Sequence, residues 1–185
     1  MSRHLADGAV LPAAYTGVSV ATIAGFTPQP GPVAAGVLVG FEFGQMHATT
    51  LIALARYGAL RATPWRMLLI EGMDAAPEID GLIVRPSDPM LRVTACSGKP
   101  ACFQALQPTR ALARCLAPHL PGTATLHVSG CAKGCAQPGA ADFTLTAQEA
   151  GFDFIRSGRA NGAPERRALT EASLTEHPAI LTEMP

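Results

Sequence analysis

Four cysteines carry the chemistry of this sequence: Cys96 and Cys102, then, after 28 intervening residues, Cys131 and Cys135. Two close pairs of thiols are ligands for a soft metal centre, so the choice lies between zinc and an iron–sulfur cluster. Structural zinc sites usually place their ligands two to four residues apart in both halves. The five-residue gap between Cys96 and Cys102 is long for that, and a cluster is wider than a single ion. Gly98, Gly130 and Gly134 lie in or beside the two loops, where a missing Cβ lets backbone approach sulfur and point N–H groups at it. Such hydrogen bonds stabilise a cluster–tetrathiolate unit of net charge about −2 and tune its potential. The pattern favours a [4Fe–4S] cluster on Cys96, Cys102, Cys131 and Cys135, with zinc or unrelated free thiols as the alternatives. Cys115, the fifth cysteine, falls among Ala and Leu in a predicted helix and reads as a small buried hydrophobe.

The chain has twelve arginines and only two lysines, and both lysines, Lys99 and Lys133, lie within the spans of the cysteine pairs. Compact point charges kept there imply an anionic ligand or charge balance for a cluster; two solvated loop lysines are the plainer alternative.

The elements that must hold these loops follow from periodicity. Residues 33–43 (VAAGVLVGFEF) read as a buried strand, 45–58 as a helix stopped by Gly58, and 60–70 as a strand with Pro64 marking an edge or bulge. Residues 75–89 read as loop with a short helix. A strand over 91–95 runs into Cys96. A helix is predicted over 103–120, with Pro108 in its first turn and Leu106, Ala113, Leu116 and Leu120 inward. A second strand, 125–128, runs into Cys131, so two adjacent strands would deliver both loops to one sheet edge. Residues 142–146 and 151–155 read as a hairpin. Thr170 is a predicted N-cap for a short tail helix ended by Pro178.

The 185 residues are 48% apolar, which argues against disorder, and have zero formal net charge, which removes any global pull toward nucleic acid. Aromatics are only 5%, with no basic–aromatic stripe. An odd cysteine count arranged in pairs fits a reducing, cytoplasmic compartment better than a disulfide scaffold. Residues 8–41 are uncharged, but prolines, glycines and hydroxyl residues dilute them, so they read as a linker or surface arm rather than a signal peptide or membrane span. The domain plan is a leader over 1–32, a first unit over 33–89, a cluster-binding unit over 90–165 and a tail over 166–185.

TACSGKPAC (94–102) followed by HVSGCAKGCAQP (127–138) resembles the sulfite/nitrite reductase superfamily, and most of all its cobalamin-pathway branch, the precorrin-3B synthases. GFEFGQM (40–46), TPWRMLLIEG (63–72) and FDFIRSGRA (152–160) extend the resemblance over about residues 33–165. It implies an α+β fold: a ferredoxin-like half-repeat followed by an α/β cluster-binding domain of the sulfite/nitrite reductase type. It implies the four cysteines as ligands of a [4Fe–4S] cluster, the last also bridging to sirohaem iron in the reductases. For the precorrin branch it implies O2-dependent hydroxylation and lactone formation on precorrin-3A, giving precorrin-3B. Electrons would come from NAD(P)H through an electron-donor protein, and sirohaem or a non-haem iron is a further cofactor candidate. A sirohaem-dependent reductase fragment or a non-catalytic electron-transfer module is the competing reading.

A polycarboxylate tetrapyrrole calls for basic and amide groups. Arg66, Arg92, Lys99, Lys133 and Gln45 are the substrate-binding candidates. No catalytic residue is assigned. His127 reads as a hydrogen-bonded core histidine, with iron ligation or proton relay as the sharper alternative; His47 is discounted likewise. Members of this family carry two pseudo-symmetric halves with the tetrapyrrole between them, and this sequence corresponds to the second. A second polypeptide or self-association would then complete the site. Neither nucleic acid nor a membrane is expected as a partner.

Overall fold

The computed structural model describes residues 28–181, so most of the expected leader lies outside the described residues. Two five-stranded sheets divide the described residues. The first contains β1 (Gly31–Val33), β2 (Gly36–Phe41), β3 (Leu60–Ala62), β4 (Met67–Glu71) and β5 (Leu82–Ile83). Its order is β1-β2-β4-β3, with β5 also on β2, and every pairing is antiparallel. Strand alternation sends Val37, Val39 and Phe41 to one face, where they bury Leu54 of α1 (Ala48–Leu54) together with Ile70. Leu38, Met67 and Leu69 point the other way and pack with Trp65.

Three expectations change here. Residues 33–43 are not one strand: β1 and β2 form a hairpin, with Pro32 on the edge strand where its missing N–H does no harm. Residues 60–70 are also a hairpin rather than one bulged strand. The Thr63 hydroxyl donates to the Met67 carbonyl at 2.8 Å, and Arg66 takes a left-handed φ of 59° to close the turn that Pro64 opens. After β4 there is no helix over 75–88; a short strand, β5, and a 3-10 turn, Pro89–Arg92, stand there, the turn capped by Asp88 accepting from the Met90 N–H.

The second sheet is mixed, in the order β10-β9-β8-β7-β6. β6 (Val93–Ala95), β7 (Leu126–Ser129) and β8 (Ala141–Gln148) run parallel; β9 (Gly151–Gly158) and β10 (Arg166–Leu169) return antiparallel. The predicted hairpin is present, as β8 and β9. One face is apolar: Val93, Leu126, Val128, Phe143, Leu145 and Phe154 pack under α2 (Arg110–Leu116) and α3 (Glu171–Glu176). The Thr170 cap of α3 forms as expected, its Oγ accepting from the Ser173 N–H at 3.1 Å. Leu174 and Leu181 are fully buried in this same core, so the tail is packed into the sheet's apolar layer. The opposite face is polar yet buried, with His127, Ser129, Thr144 and Thr146.

The two sheets meet at a 3-10 turn, Glu42–Gly44. Phe43 lies beneath the guanidinium groups of Arg110 and Arg114, at 5.6 and 5.2 Å, and Arg114 pairs with Glu42 at 2.5 Å.

Candidate functional site

The parallel pairing of β6 with β7 sets Ala95 against Val128, so Cys96 and the Ser129-Gly130-Cys131 turn leave the sheet at the same edge. The Cys96 N–H donates to the Val128 carbonyl at 3.3 Å, and the Gly130 N–H donates to Cys96 Sγ at 3.1 Å. A Cβ on Gly130 would stand 2.7 Å from Ala105 Cβ and 3.1 Å from Cys96 Sγ, so only glycine lets the second loop lie on the first. The expected N–H to sulfur geometry is therefore present at Gly130. At Gly134 it is not, because that N–H points to the Cys131 carbonyl.

The first loop is short-circuited before the helix. Cys102 N–H donates to Gly98 O at 2.8 Å, Ala105 N–H to Cys102 O at 3.1 Å, and Leu106 N–H to Gly130 O at 2.7 Å. These bonds, with Pro108 disfavouring helix at the residue before it, explain why α2 starts at Arg110 instead of residue 103. Phe103, expected inside the helix, is 92% exposed beside Cys102. The Thr109 hydroxyl donates to the Cys96 carbonyl at 2.6 Å and anchors the start of α2 at the cysteine edge.

Cys96, Cys102 and Cys131 are half-buried, and Cys135 is exposed; all are free thiols. Among the described residues, no group of three or more His, Cys, Asp or Glu side chains is close enough to hold one metal ion. A four-iron cluster makes a different demand, one thiolate per iron, and its fit is tested by the donor set and the sulfur cradle. The two linked loops supply four thiols, and Gly130 donates to the sulfur of one of them, Cys96. Cys115 is exposed, contrary to the buried reading: α2 turns Leu112, Ala113 and Leu116 inward, and that stripe leaves position 115 on the outer face.

The charged candidates separate into two groups. Lys99 and Lys133 stand in the cysteine loops, Lys133 bonded to Gln104 Oε1 of the other loop. Gln45 reaches the same edge, its Oε1 accepting from Arg110 at the start of α2. With exposed His47 it lines a cleft of about 710 Å³ that also includes Arg114 and Asp80. Arg66 and Arg92 instead line a cleft of about 430 Å³ with Gly122 and Thr123, which precede β7. Arg92 directly precedes β6 and donates to Ala124 O at 2.7 Å. Four residues of extended chain, roughly 13 Å, separate it from Cys96.

His127 lies on the polar face beneath the second loop, its Cε1 3.8 Å from where a Gly134 Cβ would stand. It is fully buried, but neither ring nitrogen has a hydrogen-bond partner among the described residues, so the core reading holds and the hydrogen-bonded one does not. Burial pushes its pKa down to about 4, leaving the ring neutral near pH 7.

Two basic residues escaped the sequence reading. Arg110 is tied to the cysteine edge through Thr109 and Gln45, and Arg159 lines a cavity of about 130 Å³ with Lys133, Gln137 and Asn161. A signal for the first was present: residues 89–141 contain no Asp or Glu but five Lys or Arg, in a chain whose formal net charge is zero. Nothing local in sequence brings Arg159 to Lys133.

No family model matches the chain. The solved structure of Mycobacterium tuberculosis NirA protein is similar with a TM-score of 0.57 at 23% identity, over 86% of this chain and 40% of that one. The fold is therefore like that of NirA over this stretch, mixed α/β with two sheets among the described residues. In sequence the chain is similar to a precorrin-3B synthase from Sinorhizobium sp, 29% identical over 146 residues, covering 68% of this chain. It is thus a partial relative of precorrin-3B synthase, spanning about a third of that relative's length (31%).

Proposed function

We propose that the chain is the cluster-binding part of an iron–sulfur oxidoreductase of cobalamin synthesis, acting with a second polypeptide or a second copy of itself on precorrin-3A. The observation that carries this is the joining of the two cysteine loops at one edge of parallel β6 and β7, with Gly130 donating to Cys96 sulfur. In this reading Cys96, Cys102, Cys131 and Cys135 hold a [4Fe–4S] cluster, which supplies one-electron transfer. The protein's own residues do the rest. Gly130 and the backbone around it hold sulfur in place. Lys99, Lys133 and Arg110 offset the negative charge of the thiolates and of a carboxylate-rich ligand. Gln45, held by Arg110, presents an amide from the first sheet. The reaction is O2-dependent hydroxylation and lactone formation giving precorrin-3B, with NAD(P)H as the ultimate reductant through a donor protein. The cysteine usage supports a reducing, cytoplasmic setting. No described helix is long and apolar enough to cross a membrane.

Anaerobic purification with iron, acid-labile sulfide and absorption measurements tests the cluster. Titration with precorrin-3A, with and without a polypeptide corresponding to the rest of the precorrin-3B synthase relative's length, tests the substrate. Zinc without sulfide overturns the cluster, and a co-purifying sirohaem band overturns the oxygenase reading in favour of the reductase one.

A further inference from the structure

The cleft at the far end of β6 and β7 is not used by the cysteine site, and its chemistry differs from that site's. Its volume, about 430 Å³, falls in the range of small-molecule sites. Phe41, Trp65, Met67 and Met90 give it an aromatic and thioether wall. Arg66 and Arg92 give it two cations, and Asp88 is the single carboxylate. Both cations are held from behind. The Arg66 stem lies over Gly44, whose φ of 69° and missing Cβ make room for it: a Cβ there would stand 3.1 Å from Arg66 Cγ. Arg92 is anchored by Nη1 on Ala124 O, which leaves its other N–H groups available. Asp88 spends Oδ1 on the Met90 N–H. Among the described residues Arg66 has no hydrogen-bond or ion-pair partner, and neither arginine pairs with Asp88. Arg66 also keeps a left-handed φ of 59°, a conformation that side chains other than glycine rarely adopt.

We infer that this cleft binds a small aromatic phosphate, of mononucleotide size, with its ring against Trp65 and the methionines and its anionic group on Arg66 and Arg92. Paired guanidiniums match a phosphate's oxygens, and an aromatic–thioether wall takes a flat ring. The cleft stands apart from the cysteine loops, so the inference does not rest on the cluster.

Trp65 is the chain's only tryptophan, which makes the test direct. The full chain is titrated with phenyl phosphate, AMP and inorganic phosphate while Trp65 fluorescence is followed, with iron content measured on the same sample. Saturable quenching by phenyl phosphate or AMP is expected, weakened at least tenfold in Arg66→Ala and in Arg92→Met, with iron content unchanged. A response to AMP alone would identify a nucleotide, and a response to both an aryl phosphate in general; either supports the site. No saturable response, equal binding by inorganic phosphate, or unaltered binding in Arg66→Ala overturns it. Should Arg92→Met fold poorly, Arg66→Ala, at an exposed turn, decides alone. Loss of the cluster with quenching intact, or the reverse, shows which of the two readings has failed.

Discussion

The two ends of one pair of strands carry different side-chain chemistry. At their C-terminal ends, β6 and β7 release the cysteine loops, with Lys99, Lys133 and Arg110 around them and no carboxylate between residues 89 and 141. At their N-terminal ends the same strands border a cleft with an aromatic wall, two arginines and Asp88. The contrast shows that closeness along the chain is a poor guide to shared surroundings once a strand intervenes. Arg92 is only four residues from Cys96 yet opens on the opposite edge.

The sharpest break between the two ends is metal loading. Cys96→Ala or Cys131→Ala is expected to reduce iron and sulfide from about four each per chain to near background, because a cluster missing one thiolate is not retained. Cys115→Ala, on the outer face of α2, should leave both unchanged. Iron and sulfide analysis with absorption reads the result, and equal loading in all three variants would remove the cysteine end's distinction.

Between the ends lies His127. Its pKa is near 4 in the folded chain against 6.5 unfolded, so the unfolded state binds more protons between those values. Stability contributed by the neutral ring is present above pH 6.5 and is lost as pH falls toward 4, by about 3 kcal/mol at most. Urea unfolding from pH 7 to pH 4 should show this slope, and His127→Leu should flatten it. Because neither nitrogen has a partner, the leucine variant is expected to be neutral or more stable at pH 7.

Gly130→Ala probes the cysteine end without touching a ligand. Its new methyl meets Ala105 Cβ and Cys96 sulfur, which should cost about 1–3 kcal/mol in urea unfolding and weaken cluster retention. Arg92→Met is the counterpart at the other end. Loss of one charged hydrogen bond to Ala124 O should cost about 1–2 kcal/mol, with iron content untouched. If Gly130→Ala spared the cluster and Arg92→Met destroyed it, the division between the ends would be wrong.

Much of the second sheet was legible in sequence. Strands running into Cys96 and Cys131, the β8–β9 hairpin and the Thr170 cap follow from alternation and cap chemistry, which are local. Boundaries were harder. The helix expected from residue 103 begins at Arg110 because Leu106 spends its N–H on Gly130, a residue 24 positions away, and no local pattern records that bond. The single strands read over 33–43 and 60–70 are hairpins because their apolar alternation continues through turns whose left-handed residues, Gly36 and Arg66, do not interrupt it.

The sequence by itself supplied the candidate donors: four cysteines in two pairs, three glycines in or beside their loops, and a pair of lysines in the same loops. Residue type and spacing suffice for that, since ligand chemistry belongs to the side chain and both pairs are local. The tertiary structure decided which charges share a site. It gave Arg110 and Gln45 to the cysteine edge and assigned Arg66 and Arg92 to a cleft at the other end. It also buried His127 without a partner. Those outcomes depend on the parallel register of β6 with β7 and on the turn that docks the first sheet against α2. Both are long-range pairings, and a chain written in one dimension carries no local mark of them.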